Sequence, residues 1–185
     1  MKDLGVKMGT PIHHIKDLVR KHRIAWLSSN YTLYGEISRR MHTILGEYSP
    51  RQELYSIDEC FLDLAGMPRD VVEIAQDIRQ HVRHWIGIPT CVGIGESKTL
   101  AKLANAIAKK TPAMNGVCDL TRIHPEERGA LLAARAATDV WGIGRKLGAR
   151  LEKLGIRTSE DLRRMDLEHA RQQFGIVVAR TIEEL

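Results

Sequence analysis

The sequence predicts an α+β fold in two parts, a small sheet covered by helices and then an all-helical segment. Up to about residue 120, short β-rich runs alternate with stretches of helical periodicity in the order βαββαβ. From residue 121 the pattern turns helical and rich in arginine. An alternation of this kind fits a mostly antiparallel sheet with helices on one face, the ferredoxin-like arrangement.

The first half of the alternation is a strand, a helix and a hairpin. The apolar run 24–28 predicts the strand, and apolar residues from Tyr34 to Tyr48 recur at helical spacing until Pro50. In the segment 54–64, β-forming residues lie on both sides of a polar pair. This pattern predicts two strands joined by a bend.

The second half consists of two helices and two strands. An amphipathic pattern predicts a helix over 71–85, and the β-rich stretch 88–94 follows it. The next helix is predicted over 98–110, because its apolar stripe ends just before Pro112. The segment 117–120 is a candidate for one more strand before the helical part begins.

The composition is that of a folded protein with a basic surface. Of the 185 residues, 43% are hydrophobic and 28% are charged, with a formal net charge of +5, which excludes a disordered chain or a collagen-like repeat. The apolar runs are far shorter than the roughly 20 residues of a membrane helix, so we expect a cytoplasmic protein without membrane contact. The three cysteines are widely spaced, which argues against a disulfide framework and a CxxC metal site.

Charge is unevenly distributed along the chain. The segment 58–120 has slightly more acidic than basic residues, whereas both flanking segments have more basic than acidic residues. Basic flanks suit a polyanion such as nucleic acid, although ordinary solvated surfaces are also basic in many proteins. An acidic centre suits a divalent cation acting on a phosphate, provided that its carboxylates converge.

The first candidate site is the polar pair Asp58 and Glu59 at the predicted bend of the hairpin. Two adjacent carboxylates in an apolar context are costly to bury unless a positive charge neutralises them. At a bend, both could reach a shared pair of divalent ions about 3.5–4 Å apart. An ordinary polar turn is the alternative, and the residues alone leave both interpretations open.

The second candidate is the glycine-containing segment 93–99, which is close to a phosphate-binding P-loop but lacks its spacing. Ser97, and not glycine, precedes Lys98. What remains is a strand end entering a helix N-terminus, where backbone N–H groups, the helix dipole and Lys98 favour an anion. A lysine in a first helical turn is also common as a simple solvated charge.

The third candidate is a Gly-Ile-Gly turn between predicted short helices, with Gly142 and Gly144 on either side of the isoleucine. This pattern is typical of a helix-hairpin-helix. Without side chains at these positions, the backbone can approach a DNA phosphate and donate N–H groups, while Arg145 and Lys146 add positive charge. Such contacts bind DNA without sequence preference and depend on salt. A tight turn needed only for packing is the alternative.

Together, the three motifs in this order resemble the Y-family translesion DNA polymerases, most closely the UmuC/ImpB/MucB branch, to which the catalytic subunit of bacterial DNA polymerase V belongs. The matching residues are 28–31, 55–59, 87–105 and 140–144, and the resemblance extends over nearly the whole chain. It favours a metal site over a polar turn for the acidic pair in the hairpin.

The resemblance also implies a domain organisation. Residues 1–27 correspond to the C-terminal part of the fingers, 28–120 to an incomplete ferredoxin-like palm, and 121–185 to a helical thumb with the helix-hairpin-helix. The family's first palm strand, with a further metal-binding Asp and an aromatic residue that excludes ribonucleotides, has no counterpart here. Neither has the fingers Tyr/Arg pair or the little-finger domain. Asp3 matches the fingers and is therefore not the further ligand.

The same resemblance implies roles for individual residues. In the family, two Mg²⁺ ions are held at the catalytic site, and Asp58 and Glu59 correspond to two of their ligands. Ser56 corresponds to a residue beside them near the primer terminus, and Lys98 to a residue that contacts the incoming triphosphate. The residues that correspond to DNA contacts in the thumb are Gly142, Gly144, Arg145 and Lys146.

The implied function is error-prone translesion DNA synthesis in SOS DNA repair, by two-metal nucleotidyl transfer from deoxynucleoside triphosphates to a primer–template. The implied partners are a UmuD-type accessory subunit, the RecA filament and the sliding clamp. Because part of the metal cage has no counterpart, we expect a fragment that is active only if the missing strand is supplied. The alternative is a non-catalytic fragment that binds DNA or sequesters a partner through the helix-hairpin-helix. A nucleotide cyclase is disfavoured because it predicts no such motif.

Overall fold

The computed structural model describes the backbone of residues 1–185 and every side chain except that of Lys2. The chain divides into two units, residues 1–35 and residues 36–185, which are considered separately. Among the described residues, no helix is both long and apolar enough to cross a membrane.

The first unit contains 3₁₀ turns at Lys2–Leu4 and Ile12–His14 and a short helix, α1 (Lys16–Lys21). The strand predicted at 24–28 is wrong, because these residues form no regular element. A strand requires a partner for its backbone N–H and C=O groups, and no strand is described in this unit. Trp26 and Leu27 are 67% and 91% exposed instead.

The remaining elements confirm the predicted α+β class. The four strands are β1 (Gln52–Leu54), β2 (Cys60–Leu62), β3 (Val92–Ile94) and β4 (Val117–Asp119). The further helices are α2 (Tyr31–Gly46), α3 (Val71–Ile86), α4 (Lys98–Lys110), α5 (Pro125–Ala133), α6 (Arg145–Lys153), α7 (Ser159–Arg163), α8 (Leu167–Phe174) and α9 (Ile176–Glu183). The predicted bounds of α4 are confirmed, and helices follow residue 121 as predicted.

The strands form two separate pairs. β1 and β2 are antiparallel, with Glu53 opposite Phe61, and β3 and β4 are parallel, with Gly93 opposite Cys118. The sequence predicts a single, mostly antiparallel sheet, and this prediction is wrong for the described residues. They contain no strand that lies between the two pairs and connects them by hydrogen bonds.

Two apolar clusters hold the second unit together. The smaller one packs α2 against α3 through Met41, Ile74, Ile78 and Val82. The larger one joins α4 and β4 to the helices that follow residue 121. Its buried side chains come from the sequence before and after that residue. Helix α4 is therefore fixed by the same core as the C-terminal helices.

Strand β3 and helix α4 approach each other unusually closely at Gly93. A Cβ atom there would lie 2.1 Å from the backbone nitrogen of Asn105 and 2.2 Å from the carbonyl oxygen of Ala101. Glycine is therefore needed at this position for the packing of the strand on the helix, independently of any anion.

The three cysteines are free, as the sequence predicts. Cys118 is buried on β4, and this burial raises the pKa of its thiol to about 11. Burial also raises the pKa of Cys60 on β2. Both thiols are therefore protonated at neutral pH and act as packing groups.

Glu160 on α7 is a buried carboxylate with two arginine partners. Its Oε2 accepts a hydrogen bond from Arg163 at 2.8 Å, and its Oε1 accepts one from Arg164 at 2.5 Å. The hydrogen bond from Arg163, followed by that from Arg164, lowers the pKa of the carboxyl below its ordinary value of 4.5, against the opposing effect of burial.

This ion pair predicts acid sensitivity. The pKa of the Glu160 carboxyl is lower in the folded than in the unfolded protein. Its contribution to the free energy of unfolding is therefore complete above the pKa of the unfolded state, and it is lost as the pH falls through the pKa of the folded state. We expect the free energy of unfolding to decrease below about pH 4.5, and to decrease less steeply for Glu160→Gln. Urea denaturation over a pH series measures this difference, and identical pH profiles for both proteins would contradict it.

Candidate functional site

The hairpin of β1 and β2 places the acidic pair at its bend, as the sequence predicts. The backbone N–H groups of Tyr55 and Ser56 donate to the carbonyl oxygen of Glu59, at 3.1 and 3.0 Å. These bonds close the bend and leave Asp58 exposed and Glu59 half-buried. The bend lies at the surface, so neither carboxylate has to bear the full cost of burial.

Asp58 is oriented by Ser56. The Ser56 hydroxyl donates to Asp58 Oδ1 at 2.9 Å, and the Asp58 backbone N–H donates to the same hydroxyl at 3.4 Å. Among the described contacts, Oδ2 of Asp58 accepts no hydrogen bond. The carboxylate is thus held by one oxygen and offers the other to solvent.

Glu59 is neutralised by a lysine that the sequence analysis did not select. Nζ of Lys102 lies 2.9 Å from Glu59 Oε2, and the lysine side chain is only 21% exposed. Lys102 follows Lys98 by four positions on α4, so both lysines lie on one face of the helix. This spacing was the signal available in the sequence.

Lys98 begins α4, where the sequence places it. Its Nζ contacts the carboxylate of Glu53 on β1 and lies 5.4 Å from the centre of the Phe61 ring on β2. Ser97 caps the helix by accepting from the N–H of Leu100 at 3.0 Å, so one donor of the first turn is already satisfied. Lys98 therefore faces the hairpin beside the acidic pair, paired with a different carboxylate.

The donor set at the bend fits Mg²⁺ in part. Carboxylate oxygens are hard donors, and Mg²⁺ is commonly bound by one or two carboxylates together with water and substrate phosphates. Asp58 and Glu59 supply two such groups. Among the described residues, however, no cluster of three or more His, Cys, Asp or Glu side chains could hold a metal ion. The bend thus offers a cation at most these two carboxylates, and the remaining positions would be left to water or substrate.

The Gly-Ile-Gly turn lies directly before α6. Gly142 has a φ of +89°, which favours glycine, and Ile143 is buried and anchors the turn in the core. Gly144 is the N-cap of α6, and a Cβ atom there would meet nothing within 4 Å. Arg145 and Lys146 are exposed, and neither forms an ion pair with the described side chains. The turn thus presents free helix N–H groups and two cations at one surface.

Three aromatic residues connect the hairpin to this turn, and the sequence analysis missed them. This aromatic bridge consists of Tyr55, Phe61 and Trp141. Nε1 of Trp141 donates to the Tyr55 hydroxyl at 2.9 Å, and the two ring centres are 5.3 Å apart. The Phe61 ring centre lies 5.8 Å from each of the other two. No short sequence pattern links positions so far apart in the chain.

Comparison with known proteins identifies relatives of the whole chain. Residues 1–106 match the impB/mucB/samB family. The chain is 42% identical over 187 residues to Protein UmuC of Salmonella typhimurium, and 31% identical over 173 residues to DNA polymerase IV of Picrophilus torridus. These alignments cover 100% and 93% of this chain, but 44% and 47% of the relatives.

The fold also has a solved counterpart. The insertion ternary complex of Dbh DNA polymerase superposes with a TM-score of 0.77 at 27% identity. The match covers 98% of this chain and 52% of that one. The chain therefore spans about half the length of the proteins that it matches.

Proposed function

The chain belongs to the impB/mucB/samB family, and on this basis we propose that it takes part in error-prone, template-directed DNA synthesis past damaged bases, within SOS DNA repair. The observation that most strongly supports this function is the acidic pair, Asp58 and Glu59, at a hairpin bend that faces Lys98 and Lys102 on α4. Carboxylates for metal ions beside lysines for phosphates are the groups that phosphoryl transfer requires.

We assign the domains as fingers over 1–27, palm over 28–120 and thumb over 121–185. The hairpin of β1 and β2 and the packing of α4 on β3 lie within the proposed palm. The chain spans 44% of the length of its UmuC relative, and a further metal-binding Asp of the family has no counterpart among its residues.

The proposed chemistry divides among the hairpin and helix residues. Two Mg²⁺ ions, when bound, lower the pKa of the primer 3′-hydroxyl and neutralise the triphosphate. Asp58 and Glu59 would hold them, and Ser56 fixes the direction of the Asp58 carboxylate. Lys102 keeps Glu59 neutralised in the free protein. Lys98 contacts the carboxylate of Glu53 there and would exchange that contact for the phosphates of the incoming nucleotide.

The Gly-Ile-Gly turn is proposed as a helix-hairpin-helix that binds the DNA backbone. We further propose a cytoplasmic location and, by relation to UmuC, binding to a UmuD-type subunit, the RecA filament and the sliding clamp. None of these partners is needed for the residue roles given above.

Primer extension tests the proposed activity. The chain is incubated with deoxynucleoside triphosphates, Mg²⁺ and primer–templates that are intact or contain an abasic site. Because part of the metal cage has no counterpart in this chain, we expect incorporation on both templates only when the first palm strand of a UmuC relative is added as a peptide, and we expect it to stop when EDTA removes the cation. Absence of incorporation with DNA binding retained would reject catalysis by this chain.

A second candidate function is DNA binding without catalysis. The specific observation that favours it is the lack, among the described residues, of a third metal-binding side chain near the pair. In that case, the thumb turn carries the remaining function, and Asp58→Ala would leave every measurable activity of the chain unchanged.

The DNA-binding role of the turn is tested by Gly144→Val. Gly144 has an extended backbone and open space around its Cβ position, so valine is sterically accepted by the fold. We expect the variant to bind duplex DNA at least about tenfold more weakly, because the added side chain keeps a phosphate from the helix N–H groups. Fluorescence anisotropy with a labelled duplex at low salt measures the affinity. Unchanged binding would contradict the assignment of the turn.

A further inference from the structure

We infer that the aromatic bridge couples DNA binding at the Gly142–Gly144 turn to cation binding at Asp58 and Glu59, with Tyr55 and Trp141 as positioning residues. This coupling presupposes the proposed function, because it requires both DNA and a divalent cation as ligands. Through this coupling, DNA bound at the turn increases the affinity of the bend for the cation, and the bound cation increases the affinity of the turn for DNA.

The link begins in the thumb. Trp141 directly precedes Gly142, so a phosphate bound at the turn lies next to the backbone that carries this indole. The indole N–H donates to the Tyr55 hydroxyl at 2.9 Å, and the rings meet edge to face with an interplanar angle of 84°. This geometry fixes the Tyr55 side chain relative to the turn.

The link continues from Tyr55 to the acidic pair by two routes. The Tyr55 backbone N–H donates to the Glu59 carbonyl at 3.1 Å, which closes the bend. In addition, the Lys102 ammonium lies 4.4 Å from the centre of the Tyr55 ring and 2.9 Å from Glu59 Oε2. The same ammonium lies 5.8 Å from the centre of the Trp141 ring. One cation thus contacts the carboxylate and both positioning residues.

The hairpin needs such support because its strands are short. β1 and β2 contain three residues each, and an isolated hairpin of this size is marginal in water. A ligand that holds Trp141 also restrains Tyr55 and the bend, so the cation then binds with a smaller loss of conformational entropy. The reciprocal effect on DNA affinity follows from linkage.

The experiment uses Trp141 as its own reporter. The chain has three tryptophans, and Trp26→Phe with Trp85→Phe leaves Trp141 as the single tryptophan, whose emission is excited at wavelengths that tyrosine does not absorb. Mg²⁺ is titrated without DNA while emission is recorded, and the affinity for a labelled duplex is then measured in EDTA and in Mg²⁺. Calorimetry with Mg²⁺ establishes independently whether the cation binds.

We expect Mg²⁺ to change Trp141 emission. The coupling ratio is the duplex affinity in Mg²⁺ divided by the duplex affinity in EDTA, and we expect this ratio to be roughly fivefold or more higher in the parent than in Asp58→Ala. Tyr55→Phe removes the acceptor of the indole N–H and should reduce this ratio to less than about twofold while leaving Mg²⁺ binding measurable. Tyr48→Phe is the matched control. It removes a hydroxyl whose described hydrogen-bond partner is His81 Nδ1, at 3.0 Å, and not a residue of the aromatic bridge, and it should preserve the ratio.

The outcomes separate the coupling from the function that it presupposes. Mg²⁺ binding without any change in Trp141 emission, or an equal ratio in Tyr55→Phe and the parent, overturns the coupling and leaves the proposed function intact. Failure of the parent to bind either Mg²⁺ or duplex DNA overturns both.

Discussion

Replacing Asp58 with alanine is expected to weaken Mn²⁺ binding by roughly 100-fold and to abolish nucleotide incorporation. Mn²⁺ serves as the probe because it accepts the same oxygen ligands as Mg²⁺. Asp58 presents one carboxylate oxygen to solvent at the bend, while Ser56 holds the other. Its removal halves the negative charge available to a divalent ion. Isothermal titration calorimetry measures the affinity.

Two further variants make this result specific. Asp63→Ala removes a carboxylate just beyond β2 that pairs with Arg51 at 3.0 Å, and it should leave Mn²⁺ affinity unchanged. Lys102→Ala should strengthen Mn²⁺ binding, because Glu59 no longer has to exchange a lysine for the cation. Equal affinities for Asp58→Ala and Asp63→Ala would show that the bend is not the binding site.

Replacing Gly93 with alanine is expected to destabilise the fold by about 3 kcal/mol or to prevent folding. The new methyl group would lie 2.1 and 2.2 Å from backbone atoms of α4, which cannot rotate away as a side chain could. Helix α4 would have to move, together with Leu100, Leu103 and Ile107, which belong to the larger core cluster. Urea denaturation measures the loss.

Gly35→Ala is the matched control for this substitution. Gly35 lies within α2, and a Cβ atom there meets nothing within 4 Å. Since alanine favours the helix over glycine, a gain of about 0.5–1 kcal/mol is expected. If Gly93→Ala lost less than about 1 kcal/mol, the close packing of β3 on α4 would not be the reason for glycine.

Much of the second unit is predictable from local pattern. Helix α4 has the predicted bounds because its apolar stripe, its serine cap and the following proline all agree. The hairpin is recognisable because β-forming residues flank a polar bend. The strand predicted for residues 24–28 is wrong because a strand-forming composition does not specify a pairing partner.

The sequence predicts individual residues of the candidate site but not the contacts between them, because those contacts join distant segments of the chain. Asp58 and Glu59 were selected as a local pair, and Lys98 as a first-turn lysine. The pairing of Lys102 with Glu59 depends on how α4 packs beside the hairpin, and the contact of Trp141 with Tyr55 joins positions 86 residues apart. Packing of this kind follows from the whole fold and not from any short motif.

The most direct test of the account is a crystal structure of the chain soaked with Mn²⁺ and a deoxynucleoside triphosphate, with the anomalous signal of the metal recorded. We predict a peak between the carboxylates of Asp58 and Glu59, with Lys102 displaced from Glu59 and Lys98 turned toward the phosphates. A map without a peak at the hairpin bend, in which Glu59 still contacts Lys102, would contradict the metal site and the polymerase function built on it.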